Sequence, residues 1–321
     1  MSVQSFLPPV QYDVTAVGDA FVELRAHDAS LPEAASFERH IAGSAAHVAI
    51  YAAMLGGRSA CVASVGADAL GTFVQNTLRQ YKVNVTGLQF SREQPTSLLF
   101  SARAGRAIQT TYYRLSDWQL HNTKEHVLLA QGSKFVHGSG FTLWKHPGRH
   151  SVFEILRLAK KSACTTVLQP YYEPALWRDH DDALATIKKT LQFADIATPT
   201  IDDAEHLFGR STREDYLKKY HDLGVDTVIL TMGKDGCLIS EDGEVSAVPA
   251  IDAPVVDPSG VHEAWHAGLY IAMSEGYGLA QSTQFANAVA AFVLRQNGPL
   301  VVLPSADRIA EEFLGRSFDA L

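Results

Sequence analysis

The chain has 321 residues, 46% hydrophobic and 19% charged, with a formal net charge of -8, so it has ample apolar material for a large core and the composition of an ordinary globular protein. The acidic balance and the lack of a Lys/Arg-rich run argue against nucleic acid or an anionic membrane as partner. Cys61, Cys164 and Cys237 are odd in number and widely spaced, which suggests neither a disulfide framework nor a cysteine zinc site and fits a reducing cytoplasm.

Residues 1–11 read as a short polar arm without the basic and apolar regions of a signal peptide, and no apolar run approaches the length of a membrane span. From residue 12 to 321 the chain is expected to form a single domain. Val14 to Val17 reads as a buried strand closed by Gly18-Asp19, and Phe21 to Leu24 continues extended. Residues 45–56 carry helical periodicity, and Ser59 to Val65 follows as an apolar strand. Gly71 to Tyr81 is a further helix, and Val83 to Leu88 leads to a strand. Such alternation predicts an α/β fold built on a doubly wound, mainly parallel sheet flanked by helices.

Thr96 to Arg103 and Ile108 to Leu115 are β-rich runs around Ala104-Gly105-Arg106, a hairpin expected to project from that sheet. Its residues Arg103, Arg106, Tyr112, Tyr113 and Arg114 could contact a substrate or a second subunit, or form the exposed face of the hairpin. The alternation then resumes with strand Lys134 to His137, helix 151–162, strand Thr165 to Leu168, helix 182–192 and the short run Asp195 to Ala197. Helices 202–208 and 213–222 and strand Thr227 to Thr231 come next. Short strands fill Gly233 to Val248, and helices 261–275, 280–295 and 306–314 close the chain.

Several segments carry motif-like residues. Ile41 to Gly57 (IAGSAAHVAIYAAMLGG) and Ser64 to Phe73 (SVGADALGTF) are followed by Leu168 to Trp177 (LQPYYEPALW) and Ala194 to Gly209 (ADIATPTIDDAEHLFG). Val228 to Ile239 (VILTMGKDGCLI) and Val255 to Gly268 (VVDPSGVHEAWHAG) complete the series. In this order they resemble the signatures of the ribokinase-like (PfkB) carbohydrate kinases, which phosphorylate sugars, nucleosides and related small alcohols with ATP and Mg2+. The resemblance implies a small β lid from about residues 20–42 and 94–116, often paired with a second subunit's lid, hence a homodimer.

It also implies site residues. Glu263 stands at the catalytic base position, and Gly260, Val261 and His262 stand where the family's anion hole lies, at a helix N-terminus that favours anions. Glu23, Gly43 and His47 fall at substrate-binding positions, Thr231, Gly233 and Gly236 near the nucleotide site, and Asp203 at a position tied to magnesium. The family's usual Asp, Asn and Arg are replaced by Gln169, Tyr171 and Glu173, and its Asn before Asp203 by Thr200. Framework glycines persist where polar site positions have turned over, which leaves two readings: a kinase of altered or reduced activity, or a catalytically inactive pseudokinase that binds a ligand or regulates through partners. Tyr171 and Tyr172 are expected beside the cleft, either stacking on a ring or packing in the core.

His262-Glu263-Ala264-Trp265-His266 also spells HExxH, a zinc-hydrolase pattern when it lies on an open helical face. The third-ligand extension is missing, with Leu269 where its glycine would be, so His266 is expected in the core or the cleft.

Overall fold

The computed structural model describes residues 10–27, 29–104, 107–162, 164–174, 176–177 and 179–321. Most of the expected N-terminal arm, and the Gly105-Arg106 turn with its proposed contact Arg106, lie outside the described residues.

A nine-stranded sheet forms the centre. Its spatial order is β13 (Glu244–Val248), β12 (Cys237–Glu241), β11 (Thr227–Thr231), β10 (Ile196–Ala197), β9 (Thr165–Gln169), β8 (Ser133–Ser139), β1 (Tyr12–Val17), β4 (Ser59–Gly66) and β5 (Leu88–Ser91). From β11 to β5 every pairing is parallel, and only β12 and β13 return antiparallel. Burial on both faces is why these strands read as continuous apolar runs such as SACVASVG. Alternate residues of β1 feed opposite cores: Val14 and Ala16 pack beneath α1 (Ser44–Met54), α8 (Val261–Ser274), α9 (Leu279–Leu294) and α10 (Ala306–Leu314), while Val17 joins the core on the other face. That second core is closed by α3 (Lys124–Gln131), α4 (Gly148–Ala159), α5 (His180–Leu191), α6 (Ile201–Phe208) and α7 (Arg213–Asp222). Among the described residues, no helix is long and apolar enough to cross a membrane.

A separate four-stranded sheet, ordered β3 (Phe37–Ala42), β2 (Phe21–Ala26), β6 (Leu98–Ala104), β7 (Ala107–Tyr113), is built from the segments expected to form a lid. Strand β3 and helix α3 carry no clear signal in the sequence. Register sets the faces: Glu23 lies opposite both His40 and Leu99, and the period of two aims Phe21, Glu23 and Arg25 at the same side. The other side presents Phe37, Phe100 and Tyr113, stacked edge to face at 5.3 and 5.7 Å. Helix α2 (Ala69–Gln80) is capped by Asp68, which accepts from Gly71 N at 2.8 Å and also ties down Thr96 through its backbone N at 2.8 Å and its hydroxyl at 2.7 Å. One carboxylate thereby fixes the crossover into β6.

Candidate active site

In an open parallel sheet, ligands bind beyond the carboxyl ends of the strands where the strand order reverses. Here the reversal falls between β1 and β8, and a cleft of about 290 Å³ opens there, roofed by the small sheet. Its floor is Asp19, just past β1. Asp19 accepts hydrogen bonds from Ser139 Oγ at the end of β8 (2.7 Å), Thr142 Oγ1 (3.3 Å) and the backbone N–H of Ser44 at the start of α1 (2.8 Å). Burial raises its carboxyl above the usual range, opposed by the Arg114 charge and by these donors. Gly43 is required for this approach: with φ 109, a Cβ there would lie 2.5 Å from the Asp19 carbonyl oxygen.

Glu23, Gly43, His47, Gly260 and Glu263 all line this one cleft. His47 is buried and its Nε2 pairs with the Ile41 carbonyl at 2.9 Å, so in the neutral ring Nε2 carries the proton and Nδ1 is left as an acceptor. Glu23 is buried as well, and its Oε1 accepts from Arg25 Nε at 3.0 Å and from Ser101 Oγ. Arg25 reaches on to Asp257 with Nη1 (2.6 Å) and to Ser259 Oγ with Nη2 (2.7 Å), joining the small sheet to the loop that leads into α8. Burial opposes ionisation of Asp257, yet the N–H and hydroxyl of Ser259, together with Arg25, hold its carboxyl below the usual range.

Gly260 is the N-cap of α8 in the left-handed region, φ 72, where a Cβ would stand 2.6 Å from the Pro299 carbonyl and 2.9 Å from the Tyr51 hydroxyl. No side chain caps this 14-residue helix, and the N–H groups of His262 and Glu263 find no acceptor among the described residues. Open donors at the positive end of a helix suit an anion. Val261 is half-buried and His262 exposed, so neither side chain closes the turn from within.

The other expected site residues sit differently. Thr231 ends β11 and Gly233 follows in the left-handed region with open space beside it; neither lines the cleft. Gly236 answers a packing need, since a Cβ there would meet the Val248 carbonyl at 2.3 Å. Asp203 is buried and occupied: its Oδ2 accepts from Thr200 N (3.2 Å) and Oγ1 (2.6 Å) in a capping box, and its Oδ1 accepts from Tyr172 N at 3.0 Å. Among the described residues no group of three or more His, Cys, Asp and Glu is poised to hold a metal ion.

The HExxH pattern does not assemble a zinc site. His266 is buried with both ring nitrogens engaged, Nδ1 to the His262 carbonyl at 2.7 Å and Nε2 to Thr198 Oγ1 at 2.8 Å, while His262 points to solvent. Tyr172 packs against His180 and His206 away from the cleft, whereas Tyr171 joins the cleft wall with Phe21, Tyr112 and Phe141. Glu173 is half-buried, and its charge helps raise the Tyr112 hydroxyl, which burial chiefly pushes up to about 12. Of the hairpin residues, Arg103 is exposed and donates to the Val256 carbonyl, and Tyr113 is exposed. Arg114 is not on an exposed face: it is buried, paired with Asp117, and stacked 3.9 Å from the Phe141 ring.

Sequence reasoning passed over Asp19, Arg25, Ser101, Phe141 and Ser259. Asp19 could have been found from its place immediately beyond the first strand, and Arg25 from its period-two spacing to Glu23.

With this geometry in view, residues 11–306 match the model of the pfkB family carbohydrate kinases. The chain belongs to that family. It is 32% identical over 300 residues to an ATP-dependent 6-phosphofructokinase of Thermoanaerobacterium thermosaccharolyticum, covering 93% of each chain. It is 30% identical over 311 residues to a 2-dehydro-3-deoxygluconokinase of Thermoproteus tenax, with 94% of each covered. Among solved structures, a Halothermothrix orenii fructokinase superposes with TM-score 0.76 at 28% identity, covering 86% of this chain and 97% of that one. A Vibrio cholerae fructokinase with fructose, ADP and calcium bound shares the fold at TM-score 0.80 and 22% identity, over 94% of this chain and 98% of that one.

Proposed function

We propose that this chain is an ATP-dependent kinase that transfers a phosphoryl group to a hydroxyl of a sugar, nucleoside or similar small alcohol. The observation that carries the reading is that Glu263 and the uncapped N-terminus of α8 open onto the same cleft as Glu23 and Asp19. The family's chemistry and the names of the relatives support it.

On this reading Glu263 accepts the proton of the attacking hydroxyl as the new O–P bond forms and the bond to the ADP oxygen breaks. The N–H groups of His262 and Glu263, with Gly260 leaving room for a close approach, stabilise charge on the transferred group. Thr231 and Gly233 flank the nucleotide. Magnesium, when bound with ATP, neutralises phosphate charge, and such an ion commonly keeps several waters and uses few protein ligands. Asp203 is the carboxylate that the family resemblance would assign to that ion, and its oxygens already serve α6 and Tyr172.

The aromatic trio on the other side of the small sheet, exposed Tyr113 with half-buried Phe37 and Phe100, supports pairing of two lids in a homodimer. The buried, unpaired cysteines fit a cytoplasmic setting.

ADP release with ATP and magnesium over a panel of sugars and nucleosides tests the reading. Glu263→Gln should lower kcat by about 10²–10⁴-fold while ATP still raises the melting temperature. Failure of ATP to bind would remove the kinase reading, and an unchanged rate in the variant would remove Glu263 as base. ATP binding with no turnover of any acceptor would favour the pseudokinase.

A further inference from the structure

Among the described residues, the cleft that would receive the acceptor is lined by more carboxylates than cations. Its charged lining residues, among those described, are Asp19, Glu23 and Glu263 on the acidic side and Arg25 on the basic side. Arg25 brings no surplus charge, because each of its three nitrogens already donates, to Glu23, Asp257 and Ser259. His47 Nε2 is engaged by the Ile41 carbonyl. Among the described residues, the lining polar atoms without a hydrogen-bond partner include the Glu263 carboxylate, Glu23 Oε2, His47 Nδ1, the Thr110, Tyr112 and Tyr171 hydroxyls and Gln169 Nε2. Only the Gln169 amide is purely a donor. A phosphate or carboxylate needs several N–H donors and a compensating cation, and here it would meet the Glu263 carboxylate, which no cation among the described residues pairs, beside Glu23, whose Arg25 is shared with Asp257. The open N–H groups of α8 do not fill that need, because on the kinase reading they serve the transferred phosphoryl group.

The opposite wall is aromatic. Phe21, Tyr112 and Tyr171 each pack on Phe141, with ring centroids 6.1, 5.4 and 5.3 Å apart. Such faces suit the apolar C–H side of a sugar ring while the carboxylates take its hydroxyls. At about 290 Å³ the cleft lies at the lower end of small-molecule pockets, which run from roughly 300 to 1,000 Å³.

We propose, building on the kinase reading above, that the acceptor is an uncharged, monosaccharide-sized sugar or polyol, and that sugar phosphates and sugar acids are excluded. Relatives named 6-phosphofructokinase and 2-dehydro-3-deoxygluconokinase would suggest an anionic acceptor; the charge pattern of this cleft points away from their names.

The test is calorimetric titration of the full chain, with a non-hydrolysable ATP analogue and magnesium present, by neutral hexoses, pentoses and polyols and by the matching 6-phosphates and sugar acids. ADP release on the same compounds runs in parallel. The expected result is a neutral compound that binds at least about tenfold more tightly than its own phosphate or acid, a margin that one uncompensated charge readily supplies. In Glu23→Gln, which removes a charge and keeps the shape, that preference should narrow. A phosphate or acid that binds as tightly as its neutral parent overturns the proposal, as does the absence of binding by every neutral compound. Neutral binding without ADP release would refute the kinase reading and leave the acceptor class standing. Turnover of a sugar phosphate over its parent would do the reverse.

Discussion

His137 and His266 lie ring to ring at 5.0 Å in the core between β8 and α8, and His137 has Nδ1 on the Tyr270 hydroxyl at 2.8 Å and no partner for Nε2 among the described residues. Burial lowers the pKa of His137 from 6.5 to about 3, and that of His266 well below its ordinary value. Because the folded value lies below the unfolded one, the unfolded chain binds more protons between the two. Stability is therefore full above about pH 6.5 and falls as the pH drops toward about 3. Each pH unit inside that window costs about 1.4 kcal/mol per histidine, so His137 alone should remove about 2 kcal/mol by about pH 5. His266 acts in the same direction. Urea unfolding of the wild type and His137→Phe, at several pH values between about 7 and 5, isolates the effect, since contributions common to both chains cancel. The variant leaves the Tyr270 hydroxyl unpaired, a pH-independent cost of about 1–3 kcal/mol. The stability gap between the two proteins should then shrink by about 2 kcal/mol on acidification. A gap that stays constant with pH would refute the reasoning.

Two further outcomes follow from the same geometry. Gly260→Ala forces a side chain into the left-handed region and against the Pro299 carbonyl and Tyr51 hydroxyl; it should cost about 1–3 kcal/mol in thermal stability and lower ADP release at least about tenfold, and wild-type behaviour in both assays would count against the assigned anion-binding turn. Arg25→Met strands Glu23 and Asp257, each with a side chain only 5% exposed; allowing for partial exposure of the guanidinium, the loss should be about 2–4 kcal/mol. Adding Asp257→Asn should recover part of that loss in urea unfolding, and strict additivity of the two changes would show that the bridge carries no coupling.

The elements with strong local signals were legible in the sequence. The apolar runs of β1, β4, β9 and β11 and the helical periodicities of α8, α9 and α10 lie within a few residues of where they fold. Helix α3 was not, because its eight residues KEHVLLAQ offer barely two turns and their apolar positions do not repeat. Strand β3, FERHIA, was missed because charged residues occupy its exposed positions, and only pairing with β2 makes it a strand.

Motif order along the chain also pointed to the family this protein joins. Tertiary structure alone decided what the motif residues do. It turned HExxH into one exposed histidine and one core histidine, gave Asp203 to the capping of α6, and drew Arg25 onto Asp257, 232 positions away in the chain. Periodicity and capping are local and leave a mark in every short window. Charge compensation depends on which distant groups the topology brings within a few ångströms, and among the described residues that left the cleft with three carboxylates and the single cation Arg25.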